Sequence, residues 1–210
     1  EAHINAYYNP NLAASSDAVK TVISNNINSY ADSSEMNKYG AKFKYSKFQT
    51  VVDNSNDSIT SNITKIEIRR NLKPSLNQNA EYELCFGNSF YIKNNNGYNI
   101  KSSGFNVSGI ADTVYLSDSP NEEGTIGNLF LFTLESRNNP KIVSTNVGTV
   151  DYDKGEILIN PININNTSKE VQNIPIIEIS ACPQSNDVIG LQDLYLQLDV
   201  NNSTVDMIAD

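Results

Sequence analysis

Ile59-Thr-Ser-Asn-Ile-Thr-Lys-Ile-Glu-Ile-Arg-Arg70 is the stretch in which the hydrophobic period of this chain changes. Ile66 and Ile68 alternate with Lys65, Glu67 and Arg69, so an extended backbone would carry one apolar and one charged face. That is the pattern of a half-buried strand. Pro74 closes it, because proline cannot donate to a central ladder. Upstream, apolar residues recur at helical spacing, and downstream they come in short alternating runs. Residues 1–58 therefore read as helical and residues 59–210 as mostly strands.

Working toward the N-terminus, Asn9-Pro10 offers a cap followed by proline at the first helical position. Leu12, Val19, Val22, Ile23, Ile27 and Tyr30 then form one apolar stripe at helical spacing. Asp32-Ser-Ser-Glu35 has the spacing of a capping box, with Gly40 as the stop of a short second helix. Ser46-Lys-Phe-Gln49 repeats the box ahead of a third helix, with Phe48, Val51 and Val52 on one side and an end in the polar stretch Asp53–Asp57.

Toward the C-terminus, strands are expected at Tyr82–Phe86, Phe90–Lys93 and Tyr98–Ser102, with Asn94–Gly97 as a hairpin turn. Further strands are expected at Phe105–Ile110, Thr113–Leu116, Ile126–Leu134, Lys141–Asp151 and Glu156–Asn160, the last two joined by the turn Asp153-Lys-Gly155. Ile174–Ala181 and Leu194–Val200 complete the sheet material, with a short helix or turn over Asp187–Asp193 between them. Helices first and many short strands after predict an α+β protein. A helix-rich α/β unit is expected over residues 1–74, followed by a predominantly antiparallel β domain over residues 75–210.

The 210 residues can bury a sizeable core, and 11 Tyr with 7 Phe supply bulky members for it. No apolar run approaches the ~18–20 residues a spanning helix needs, so no integral membrane helix is expected. Asn is the commonest residue, at 32 positions. Its codons are A/T-rich, as are those of Ile, Lys and Tyr, so a low-GC genome is the simplest cause. Seven Asn-x-Ser/Thr sequons, from Asn56 to Asn202, are close to the number that so much Asn, Ser and Thr gives by chance, and imply no glycosylation. Cys85 and Cys182 are expected as free buried thiols, with a single disulfide between them as the alternative. Glu1-Ala-His3 has no initiator Met and none of the parts of a signal peptide, so the chain is expected to be a piece of a longer polypeptide.

Fifteen Lys and Arg stand against 24 Asp and Glu, a net charge of −9. Bulk duplex binding is disfavoured, since phosphate affinity comes from dense cationic side chains. The charge is unevenly placed. Residues 38–73 carry eight basic and three acidic residues, whereas residues 103–210 carry four basic and fifteen acidic ones. Two solvated faces would account for this. Contact between the basic stretch and an acidic surface of a neighbouring subunit would also account for it, and makes Lys42, Lys44, Lys47, Arg69 and Arg70 the candidate contact residues. Aromatics interleaved with lysines at Tyr39–Phe48 resemble a single-stranded nucleic-acid platform, but ordinary packing explains them as well, and no nucleic-acid partner is expected.

Catalytic constellations fail one by one. A nucleophilic triad needs an imidazole base, and His3, alone of its kind, stands near the terminus. Glu122-Glu123 and the pair Asp151/Asp153 could supply two carboxylates. The first pair, however, lies in the turn-like polar stretch Asp118-Ser-Pro-Asn-Glu-Glu-Gly124, and the second belongs to a hairpin turn. Asp151-Tyr-Asp153-Lys-Gly155 begins like a calcium loop but lacks the later oxygen ligands and the closing Glu. No phosphate loop, Cys-x-x-Cys or zinc-protease motif occurs. The expectation is a non-enzyme with no metal, cofactor or small-molecule substrate.

Two blocks of sequence carry a resemblance. The first is the helix Val19–Tyr30, then Tyr39-Gly-Ala-Lys-Phe-Lys-Tyr-Ser-Lys-Phe48, then Ile59–Arg70. In that order it resembles the C-terminal portion of baseplate J-like proteins, wedge components of contractile-tail phages. The second is Asn146-Val-Gly-Thr-Val-Asp-Tyr-Asp-Lys-Gly155 with Glu156–Ile159 and Ala181-Cys-Pro-Gln-Ser-Asn-Asp-Val188. It is similar to the β-rich region of the T-even-type wedge protein of marine myoviruses. The resemblance implies a structural subunit of the virion tail baseplate, assembled in the host cytoplasm. It would pair with a second copy, as a homodimer, and contact other wedge proteins in the ring around the tail hub. The other class compatible with the residues is a carbohydrate- or surface-binding β-domain of a fibre or adhesin, suggested by the many Tyr and Asn.

Overall fold

The computed structural model describes residues 1–92, 98–191 and 195–210. The chain forms two compact units. One is built from Glu1–Glu67 together with Ser185–Asp210, and the other from Ile68–Gln184, which is inserted in sequence between the two parts of the first.

In the first unit the chain begins with a strand. Ala2, Ile4 and Ala6 of β1 (Ala2–Tyr8) are fully buried and alternate with more exposed neighbours. β1 is the middle of a three-stranded sheet. It pairs antiparallel with β3 (Ile59–Ile66) and parallel with β15 (Thr204–Ala209). The helices α1 (Ser16–Ala31) and α2 (Tyr45–Asp53) pack on each other, α1 against β15 and α2 against β3. They bury Val19, Ile23 and Ile27 of the first helix and Phe48 and Val52 of the second. Short β2 (Lys42–Phe43) pairs with β14 (Val188–Ile189).

The expected helical unit at the N-terminus is corrected by this architecture. The protein is mostly β, with several antiparallel sheets and two α-helices among the described residues. Three local competitions decided it. Asn9 does not cap a helix: its Oδ1 accepts from Asn11 N–H and its carbonyl from Leu12 N–H, closing a turn that leaves Leu12 exposed. The helix begins at Ser15, whose Oγ accepts from Ala18 N–H. Asp32–Gly40 is a run of turns rather than a second helix. Asp32 is the C-cap of α1, and Gly40 takes a positive φ of 61°. Ser46 stands inside the first turn of α2 instead of capping it. Lys44 is the N-cap residue and makes no side-chain cap bond; the carboxylate of Asp187 receives the Tyr45 N–H at 2.7 Å.

Among its described residues the second unit has strands, turns and loops but no α-helix; Ser136–Asn138 is a 3-10 turn. Its larger sheet runs β5 (Asn79–Cys85), β11 (Glu156–Thr167), β10 (Asn139–Asp151), β9 (Ile126–Glu135), β8 (Tyr115–Pro120), with β7 (Phe105–Val107) also on β11. A second sheet holds β12 (Lys169–Val171), β13 (Ile174–Ala181) and β4 (Ile68–Leu72), with β6 (Lys101–Ser102) also on β13. Leu72, Ile177 and Ile179 of this sheet and Leu116, Leu131 and Ile159 of the larger one line a common apolar gap, the core of a sandwich. The expected strand end near Pro74 falls at Leu72, and the chain already breaks the ladder at Glu67, so Ile59–Arg70 serves two strands in different units.

Ile126–Leu134, Lys141–Asp151 and Ile174–Ala181 are strands as expected, and Gly155 turns the chain between β10 and β11 with φ of 67°. A Cβ there would run into the backbone oxygen of Asn88. The expected strand Phe90–Lys93 is reduced to a bridge between Phe90 and Pro183. The Asn94–Gly97 hairpin, Lys93 and the end of the Asp187–Asp193 segment with Leu194 lie outside the described residues.

Candidate functional site

The most tightly held polar group of the second unit is Asp118, at zero exposure on β8. One carboxylate oxygen accepts from the backbone N–H groups of Asn99 (2.8 Å) and Ile100 (2.6 Å), the other from the Tyr152 hydroxyl at 2.6 Å. Asn99 extends the network. Its amide donates to the carbonyls of Tyr91 and Cys182 and its oxygen accepts from Cys182 N–H. Ser117 Oγ donates to Ile100 O. Burial pushes the Asp118 carboxyl above the ordinary Asp value, opposed by these donors, first Tyr152 and then Ile100 and Asn99. Burial, then the bond to Asp118 and its charge, push the Tyr152 phenol far above its usual value.

A perturbed buried acid is a signature shared by catalytic sites and structural networks. Here every donor to the carboxylate comes from the protein itself, and the network ties the irregular segment 98–100 to β8 and to the end of β13. Its chemistry is that of a fastening. Among the described residues no group of His, Cys, Asp and Glu could hold a metal ion. Glu122 and Glu123 are exposed beyond the end of β8. Asp151 lies 3.4 Å from the Lys154 ammonium in its own turn, where the Lys154 backbone N–H, at 3.0 Å, holds its carboxyl below the usual range. Both cysteines are free and half-buried. No helix among the described residues is long and apolar enough to cross a membrane.

The candidate contact residues fall in both units. Lys42, Lys44 and Lys47 belong to the first and are all exposed. Lys47 makes a 2.6 Å ion pair with Glu35 across the turn region. That bond, then its charge and those of Lys44 and Lys38, hold the Glu35 carboxyl below its ordinary value. Arg69 and Arg70 are on β4 of the second unit and are half-buried. Arg69 lies 3.4 Å from Glu178, and the Arg70 guanidinium donates to the Cys85 carbonyl. Of the acidic C-terminal stretch only Ser185–Asp210 belongs to the same unit as the first three lysines; its larger part, up to Gln184, belongs to the second unit.

This arrangement defines a class before any comparison: a β-rich scaffold whose buried Asp118 is bonded within the protein and whose surface carries localised charge. Residues 1–71 match the family model described as baseplate structural protein gp6, C-terminal domain III. The match covers the first segment of the first unit and supports a phage baseplate protein of structural type, a component of the virion tail. No curated protein matches the chain.

Proposed function

We propose that this chain is a non-enzymatic structural subunit of a contractile-tail baseplate wedge, of the baseplate J-like kind. It pairs with a second copy and contacts neighbouring wedge proteins in the ring around the tail hub, during assembly in the host cytoplasm. The family match over residues 1–71 carries this proposal. The network around Asp118 agrees with it, since that carboxylate is bonded to donors of the protein itself. In this proposal Lys42, Lys44, Lys47, Arg69 and Arg70 contribute to subunit contacts, the exposed lysines by charge and the arginines by bracing β4.

Sedimentation equilibrium over a wide concentration range at two salt levels tests it. A dimer, twice 23.2 kDa, is the expected result, as a two-fold contact is the commonest closed arrangement. A trimer would overturn it in favour of a fibre or adhesin module. A monomer at every concentration would remove self-pairing.

A further inference from the structure

The first unit carries an exposed patch that its own core does not require. Tyr39 and Tyr195, far apart in sequence, meet in an antiparallel bridge with ring centroids 4.0 Å apart and planes tilted by 47°. They remain 63% and 55% exposed. The β2–β14 ribbon continues this surface. Lys42 pairs with Ile189, itself 53% exposed, and Gly190 N–H donates to Ala41 O at 2.8 Å. Two aromatic rings held against each other by backbone pairing have already lost their freedom, so a partner would bind them at little further entropic cost. Tyrosines in such a setting are frequent energetic centres of protein contacts.

Charge selects the partner. Lys38, Lys42 and Lys44 are exposed, and among the described residues no carboxylate lies within ion-pair distance of them. Residues 36–52 contain no Asp or Glu at all. Two carboxylates border this surface, Asp187 on the Tyr45 N–H and Glu35 on Lys47, and the three lysines outnumber them in a chain of net charge −9.

We propose that Tyr39, Tyr195 and Ile189, with Lys38, Lys42 and Lys44 as the rim, form a docking surface for an extended acidic segment of another protein. This deepens the contact role proposed above for the basic stretch and rests on it. The apolar plate takes an aliphatic side chain of the segment and the lysines take its carboxylates. Single-stranded nucleic acid fits less well. Three cations on one side of the plate are too few for the charged track that follows a nucleic-acid backbone.

The test is fluorescence anisotropy of the whole chain with a labelled synthetic peptide of glutamates bearing a leucine at every third position. The same peptide with lysine for glutamate, and labelled oligo-dT, serve as comparisons. The glutamate peptide is expected to bind, to weaken with added salt, and to lose about tenfold or more in affinity on Lys42→Glu and on Tyr39→Ser. Tyr39→Phe should retain it. Lys42 is exposed, so an unchanged circular dichroism spectrum of Lys42→Glu excludes misfolding as the cause. No binding of the glutamate peptide, or equal binding by Lys42→Glu, overturns the proposal. Tighter binding of oligo-dT assigns the surface to nucleic acid instead, and loss of self-association in Lys42→Glu assigns it to a second copy. A silent titration beside a sedimenting dimer overturns this surface alone; peptide binding by a strict monomer overturns self-pairing alone.

Discussion

The Tyr152 hydroxyl donates to the fully buried carboxylate of Asp118 at 2.6 Å, joining the turn after β10 to the middle of β8. With the N–H groups of Asn99 and Ile100, it is one of the donors that satisfy a carboxyl group held inside a sandwich.

Tyr152→Phe removes that donor and keeps the ring. The buried carboxyl group loses one of its direct partners, and the variant should be less stable by about 1–3 kcal/mol. Urea titration monitored by circular dichroism measures this.

The same pair has a pH signature. The folded-state pKa of Tyr152 is raised, so the folded state keeps a proton that the unfolded state loses above about pH 10. Its contribution is fully present below that pH and is lost as pH rises through the folded value. The stability difference between the protein and Tyr152→Phe should therefore narrow from about pH 10 upward. A constant difference up to pH 11 would count against the assignment.

Gly155→Ala should cost about 2 kcal/mol or more, since the added Cβ meets the Asn88 carbonyl at a positive φ. Gly109→Ala is the control: its φ of 87° is also positive, but nothing lies within 4 Å, so it should cost less in the same urea experiment.

Asp187→Ala removes the acceptor for the Tyr45 N–H at the start of α2. The loss should resemble that of an N-cap, about 0.5–2 kcal/mol. Hydrogen exchange should show faster amides in the first turn of α2 and little change in the second unit.

Removal of residues 204–210 strips β1 of its parallel partner. Limited proteolysis should then cut within residues 1–67 faster, while residues 68–184 keep their resistance, because they form a compact unit of their own. Equal loss of protection in both would refute the independence of the units.

Much of the local structure is readable from residue pattern. The stripe Val19, Ile23 and Ile27 and the face Phe48 and Val52 are long enough and periodic enough to mark both helices. Leu12 belongs to the same arithmetic stripe but stands outside the helix, because the turn at Asn9 satisfies its own backbone first. β1 escapes notice for a different reason. Its buried positions are Ala2, Ile4 and Ala6, and alanine contributes little to an alternation count. The partner strand of β1, with only Val205 buried, lies at the far end of the sequence. Pairing across that distance leaves no local trace. Asp118 is hidden likewise: Asp-Ser-Pro reads as the start of a turn, yet β8 continues through Pro120 and turns that side chain inward. The cap of α2 by Asp187 and the meeting of Tyr39 with Tyr195 are both products of the chain's return to its first unit, which no spacing rule anticipates.

That return sets an order on synthesis. β1 and β3 are available early, but β15 leaves the ribosome only after the whole inserted unit has been made. Until then one side of β1 is a bare row of N–H and C=O groups, the kind of edge that recruits strands from neighbouring chains. The inserted unit is continuous in sequence and can close while the first stands half-finished. Completion of the first unit is therefore a late and long-range event, and a nascent chain stalled before Thr204 would be the species most exposed to aggregation.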